Sequence, residues 1–211
     1  VSAQKTDRLA WIAYDEGKRN VFTAVAPVFT PVRLTSFMKD DGVDLTNLSV
    51  SANGSVAVFV RGHDRNRVGW VANPLSNPGG TERAIWAVRT AGGAAFRLAE
   101  LPSGAPMVSP DGRFVLYVKD GQIYRARVSA APQTTPMDKG EQPFIKAWGE
   151  NSAPRWSPNG KKVAFVSDRT DHSFIGVYDV ATRGVSYLAP DVDRDTSPTW
   201  SPDSTRIAFI R

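Results

Sequence analysis

An all-β architecture of repeated four-stranded antiparallel blades, a partial β-propeller, is predicted by three observations. First, the tetrad Ser-Pro-Asp/Asn-Gly recurs down the chain. It reads Ser109-Pro110-Asp111-Gly112, Ser157-Pro158-Asn159-Gly160 and Ser201-Pro202-Asp203-Ser204, with a worn copy at Ser51-Ala52-Asn53-Gly54 and a more worn one, holding an extra residue, at Ser2-Ala3-Gln4-Lys5. Second, each tetrad precedes a short apolar run holding an aromatic, at 9–14, 56–60, 115–118, 163–166 and 207–210. Third, the serine-to-serine steps are 49, 58, 48 and 44 residues, a period typical of propeller or solenoid arrays.

The repeat that starts near Ser152 sets the template. Ala153-Pro154-Arg155-Trp156 reads as a short first strand. The tetrad after it reads as a tight turn: proline presets φ, Asn or Asp bonds its own backbone, and glycine takes positive φ. Residues 163–166 read as the second strand, 174–179 as the third and 185–189 as the fourth, after a turn at Ala181-Thr182-Arg183-Gly184. Four short strands in about 45 residues make an antiparallel meander. Third strands are expected at 20–24, 84–88 and 122–126, and fourth strands at 32–34, 95–99 and 144–147. The second strands are apolar on both faces, as expected where each sheet is covered from both sides. No amphipathic 3.6-residue period persists beyond two turns, so no helix is expected.

Blades are therefore expected at 1–48, 49–104, 105–151 and 152–195, with the first hairpin of a fifth at 196–211. The first lacks most of its inner strand. Four blades and a hairpin leave apolar faces unpartnered at both ends of the stack. That predicts a part of a longer protein, as does Val1 in place of an initiator methionine.

Composition narrows the function classes. Hydrophobic residues make up 41% of the 211, enough for a core. No apolar run approaches the roughly 20 residues of a membrane helix, so no membrane span is expected. There is no cysteine, which removes disulfides and thiolate metal sites. The net charge of +5 comes from bases scattered among acids, so no nucleic-acid partner is expected.

Antiparallel connectivity places the tetrad turns at one end of the sheets and the longer, charged loops at the other. Those loops are 15–19, 39–42, the insertion 62–81, 168–172 and 191–195. They are either a recognition surface or a solvated rim. Candidate binding residues are Arg65, Arg67, Trp70, Glu82, Arg169, His172, Asp193 and Arg194. Trp70 either contacts a partner or pins its loop to its own blade.

Catalytic patterns are poor. Gly184-Val185-Ser186-Tyr187-Leu188 lacks the last glycine of a nucleophile elbow. Two histidines, His63 and His172, make no three-histidine metal site. His172 beside Asp171 reads as a loop anchor before it reads as a catalytic pair. Asp193 and Asp195 lack the ordered oxygen ligands of a calcium loop. No catalytic residue, metal or cofactor is expected in this chain.

The segments Arg155-Trp156-Ser157-Pro158-Asn159-Gly160, Ser167-Asp168-Arg169 and Asp171 to Asp179 resemble the N-terminal propeller of bacterial serine peptidases of the prolyl oligopeptidase family. So does Val192-Asp193-Arg194-Asp195-Thr196-Ser197-Pro198-Thr199-Trp200-Ser201-Pro202-Asp203. The dipeptidyl-aminopeptidase and acylaminoacyl-peptidase branch is the more similar one. Asn20-Val21-Phe22, Arg33-Leu34-Thr35 and Ala84-Ile85-Trp86-Ala87-Val88 agree, so the likeness spans essentially the whole chain. The tetrads alone are also similar to TolB-like periplasmic propellers.

The resemblance implies a separate C-terminal α/β-hydrolase domain that carries the catalytic triad. It also implies a propeller that gates and orients peptide substrates, in a periplasmic or secreted protein, with the cytoplasm left open. The glutamate pair by which some members hold a substrate amino terminus has no match, since Glu82, Glu100, Glu141 and Glu150 are each solitary. The alternative is a stand-alone TolB-like protein-binding propeller.

Overall fold

The computed structural model describes residues 1–101, 103–129 and 142–211. They form two compact units, one of 1–101 with 128–129, the other of 103–127 with 142–211. Every regular element among them is a strand.

The first unit holds two antiparallel sheets. One comprises β1 (Arg8–Asp15), β2 (Lys18–Val25) and the two-residue β3 (Val32–Arg33). The other is a meander of β4 (Leu45–Val50), β5 (Val56–Arg61), β6 (Ala84–Arg89) and β7 (Phe96–Glu100). The second sheet thus opens at Leu45, a few residues inside the stretch that the sequence assigned to the first blade. Val21 and Leu34 pack against Leu45, Ala57, Phe59 and Val88, which joins the two sheets.

The second unit holds three sheets. β8 (Ser103–Val108), β9 (Phe114–Lys119) and β10 (Gln122–Arg127) make the first. A full meander follows, with β11 (Glu150–Trp156), β12 (Lys162–Asp168), β13 (Ser173–Asp179) and β14 (Val185–Leu188). The hairpin β15 (Thr196–Trp200) and β16 (Ile207–Ile210) completes the unit. The fourth strand expected at 144–147 is reduced to one bridge, Ile123 to Ile145. The Gln122 side chain takes over beyond it, accepting from Ala147 N at 3.2 Å and donating to Gly149 O at 3.1 Å.

Strand alternation decides what β12 buries. Val163 and Phe165 face Leu116, Ile123 and Ile145, whereas Ala164 and Val166 face Trp200, Ile207 and Phe209. A strand covered from both sides has no polar face to keep, which explains its unbroken apolar run. β1 and β16 depart from that expectation, with Leu9, Tyr14 and Ile210 exposed.

The tetrads fold alike. In each, the fourth residue's N–H returns to the serine carbonyl, at 2.8–2.9 Å for Gly54, Gly112, Gly160 and Ser204. Each serine hydroxyl donates to the Asn or Asp two residues on, for example Ser157 to Asn159 at 2.8 Å, and accepts from the next strand's backbone. The first copy sits one residue later than the sequence suggested. Ala3 N bonds Arg8 O, the bond that Ser51 N makes to Val56 O, so Ala3 and not Ser2 holds the serine's place.

A second recurring device is a register shift in the first strand of four sheets. Each shift contains a residue at positive φ: Asn47, Gly104, Ala153 and Ser197. An extra residue in the left-handed region is a β-bulge, and it bends the strand just below the loop end.

Two turn carboxylates predict a loss of stability at acid pH. Asp179 accepts from Thr182 N, from the Thr182 hydroxyl and from Ala181 N, which holds its carboxyl below the usual 3.8. Asp203 is held below it by the Ser201 hydroxyl at 2.5 Å and then by Thr205. A depressed folded pKa favours the ionised native state. The contribution is complete above the unfolded value and is lost as pH falls through the lower folded one. Thermal unfolding followed from pH 6 to 2 should show the midpoint dropping below about pH 4. Asp179→Asn and Asp203→Asn should make that drop shallower. An unchanged acid limb in both variants would contradict the assignment.

Candidate functional site

Each unit has a group of charged loops at the end of the sheets opposite the tetrad turns. In the first unit their side chains are largely matched to one another. Arg61 pairs with Asp41 and, at 2.6 Å, with Glu82, whose other oxygen accepts from the Trp86 indole at 3.0 Å. Arg19 reaches Asp40 and Asp44 at 3.4 and 3.2 Å. His63 lies between Asp44, 2.9 Å from Nδ1, and Gly42 O, 2.8 Å from Nε2. Arg83 pairs with Asp64 at 2.6 Å. The pattern is a latch closing the acidic loop 40–44 onto the ends of β5 and β6, and it places Glu82 in a structural ion pair.

The insertion holds itself together by local bonds. Asn66 Oδ1 accepts from Val68 N and Trp70 N, and Arg65 donates to Gly69 O at 2.8 Å. Asn73 and Asn77 close a second turn. Their apolar side chains point away: Trp70 is 75% exposed, and Val68 and Leu75 are exposed too. Trp70 therefore does not pin the loop to its blade. Arg67 is exposed beside it.

In the second unit the loops form a cleft of about 440 Å³, lined by Trp148, Gly149, Glu150, Asp168, Arg169, Thr170 and Arg194. Three connections build it: the entry to β11, the β12–β13 loop and the segment leading to β15. Arg194 bonds Asp168 at 3.3 Å and donates to Thr170 O. Its backbone bridges to Ser173. Arg169 donates to the Tyr187 hydroxyl at 2.9 Å, its guanidinium 5.4 Å from the Tyr187 ring and 5.7 Å from Phe174. Glu150 stands directly opposite Asp168 in the β11–β12 ladder.

The remaining candidates border this cleft without lining it. His172 Nδ1 lies 2.7 Å from Asp171, and its ring centroid lies 4.8 Å from that of Phe174, tilted by 56°. The Asp171 carboxyl is held low by its own backbone hydrogen bond and then by His172. The neighbouring Ser173 hydroxyl is buried and donates to Asp195 O at 2.8 Å, so it is not presented to the imidazole. Asp193 contributes its carbonyl to Ser173 N. Asp195, 1% exposed, is ion-paired with Arg211 at 2.8 Å, which removes it from any ligand pair with Asp193. Of the sequence candidates, the cleft brings together Arg169 and Arg194 only. Glu141 lies outside the described residues.

Sequence reasoning missed Trp148 and passed over Glu150. The trace was a short connection with one bulky residue. The Trp148 carbonyl is anchored by the Ser167 hydroxyl at 2.9 Å. Gly149 has φ +78, and its Cα faces the Asp168 carbonyl so closely that a Cβ would lie 2.1 Å from that oxygen. With the backbone pinned there, the indole is left 80% exposed. An indole, two carboxylates and two guanidinium groups converge here.

The family model for the TolB beta propeller domain matches residues 99–211. No curated protein matches the chain. Among solved structures, TolB from Acinetobacter baumannii is similar at 19% identity and TM-score 0.60, covering 98% of this chain and 46% of that one. Dipeptidyl peptidase 4 from Porphyromonas gingivalis is similar at 15% identity and TM-score 0.65, covering 99% and 35%. An acylaminoacyl peptidase is similar at 12% identity and TM-score 0.60, covering 93% and 33%. This chain spans between a third and a half of those three, and at such identities the likeness shows the fold. With more than half of its residues matched by that family model, the chain belongs to the TolB beta propeller domain family.

Proposed function

We propose that this chain is a non-catalytic recognition propeller of a periplasmic or secreted serine peptidase, gating and orienting peptides for a C-terminal α/β-hydrolase domain. The observation that carries the reading is the second unit's cleft, where an exposed indole, two carboxylates and two guanidinium groups meet. Holding a peptide in one orientation is itself a contribution to rate, because it removes rotational freedom before the chemical step. The acyl transfer belongs to the hydrolase domain. Similarity to dipeptidyl peptidase 4 and acylaminoacyl peptidase supports the reading.

A second reading, a protein-binding propeller without chemistry, is favoured by the self-bonded insertion that displays Trp70, Val68 and Leu75. Assays on aminoacyl and acyl-peptide nitroanilides separate the two. The chain alone is expected to show no turnover, and the intact protein to hydrolyse them with a raised KM in Glu150→Gln. Turnover by the chain alone would overturn its non-catalytic role. No turnover by the intact protein would favour the second reading.

A further inference from the structure

We propose that the cleft receives a basic side chain, arginine or lysine, of a bound peptide. The Trp148 indole would lie along the alkyl stem and cationic head, and the Glu150 carboxylate would be the counter-ion. The inference rests on the cleft being a peptide site, as argued above, and adds which side chain it selects.

The charge pattern points to it. Side chains directly opposite in an antiparallel ladder stand about 5 Å apart at Cβ, and like charges there repel. Glu150 and Asp168 are such a pair. Asp168 is answered by Arg194, which is also tied to Thr170 O. Arg169 is drawn aside to the Tyr187 hydroxyl, against the Tyr187 and Phe174 rings. Glu150 is exposed, and among the described residues no ion pair includes it. A cation placed beside Glu150 would relieve the Glu150–Asp168 repulsion.

The indole supplies the second half. Trp148 is 80% exposed on a backbone anchored by the Ser167 hydroxyl, so its indole is open to a ligand. An aromatic face attracts ammonium and guanidinium groups, more strongly as water is excluded, and accepts the methylene stem of either residue. A purely apolar side chain would cover the indole but leave Glu150 desolvated without compensation.

The test is calorimetric titration of the intact protein with N-acetylated, C-amidated Ala-X-Ala peptides, where X is arginine, lysine, citrulline or norleucine. Blocked ends remove any contribution from chain termini. Arginine and lysine peptides are expected to bind about tenfold more tightly than the neutral pair, a difference of about 1.4 kcal/mol. That preference should vanish in Glu150→Gln and shrink in Trp148→Ala. Equal binding of all four, weakened alike by Trp148→Ala, would overturn the basic-side-chain inference and leave the peptide site standing. Binding of none, or binding indifferent to both substitutions, would overturn the two together. Both side chains are exposed, and the arginine-to-citrulline comparison in the unaltered protein decides the matter even should a variant misfold.

Discussion

Phe165→Ala is expected to lower stability by about 3–5 kcal/mol, the range for emptying a buried phenylalanine site. Phe165 is fully buried in the cluster that joins the β9–β10 sheet to β12 and β13, with Leu116, Ile123, Ile145, Val163 and Tyr178 around it. Its ladder partner is Gly176. A Cβ built on Gly176 would lie 2.4 Å from the ring's Cζ, so the glycine is the seat into which the ring fits. The reverse change, Gly176→Ala, should cost about 1–3 kcal/mol by overpacking. Combined with Phe165→Leu it should cost less than the two separate effects added, because the smaller side chain frees the space that the methyl needs. Urea unfolding of the single and double variants measures both. Strict additivity would show that the two residues do not share one packing site. A domain whose total stability is about 5–15 kcal/mol would lose a large share of it from this one ring.

Gly149→Ala is expected to cost about 2–3 kcal/mol and to disturb the cleft as well. The methyl would meet the Asp168 carbonyl at 2.1 Å, a backbone atom with no rotamer to change, and φ +78 is itself unfavourable for alanine. Relief requires the Trp148–Glu150 segment to move away from β12. That shifts the indole and breaks the opposition of Glu150 and Asp168. Unfolding should therefore report a loss, and the arginine peptide should bind more weakly in whatever fraction stays folded. Normal stability with normal binding would show that this approach of backbone to backbone is not needed.

The sequence exposed the parts of the fold that rest on local chemistry. The turn bonds rest on a serine hydroxyl with an Asp or Asn two residues on, in most copies with proline between and glycine after, so the turns at Ser51, Ser109, Ser157 and Ser201 were legible. Ala3 was misplaced by one residue because no hydroxyl marks its turn. The bulges at Ala153 and Ser197 were hidden, since of the four only Asn47 and Gly104 are residues that left-handed backbone favours. The expected strand at 144–147 looked complete because Phe144, Ile145 and Ala147 are apolar. It fails because a side-chain amide, that of Gln122, takes the place of the next backbone bonds.

The candidate site was legible only as a set of charged loops. Arg169 and Arg194 were found because they sit in those loops. Trp148 was not, because its exposure comes from a pairing of backbone atoms about 20 residues apart, Gly149 with Asp168, that no local pattern announces. Glu82 looked free in the sequence and is bound to Arg61 and Trp86. Charge in a loop says little about availability until the partner across the sheet is known.

Hydrogen-exchange mapping of the intact protein with the acetylated Ala-Arg-Ala amide tests most directly whether the cleft is where a peptide is held. Slowed exchange is predicted at 148–150, 168–170 and 194, with the turns at Ser157 and Ser201 unchanged. Protection confined to those turns, or none in the cleft at saturating peptide, would contradict the account.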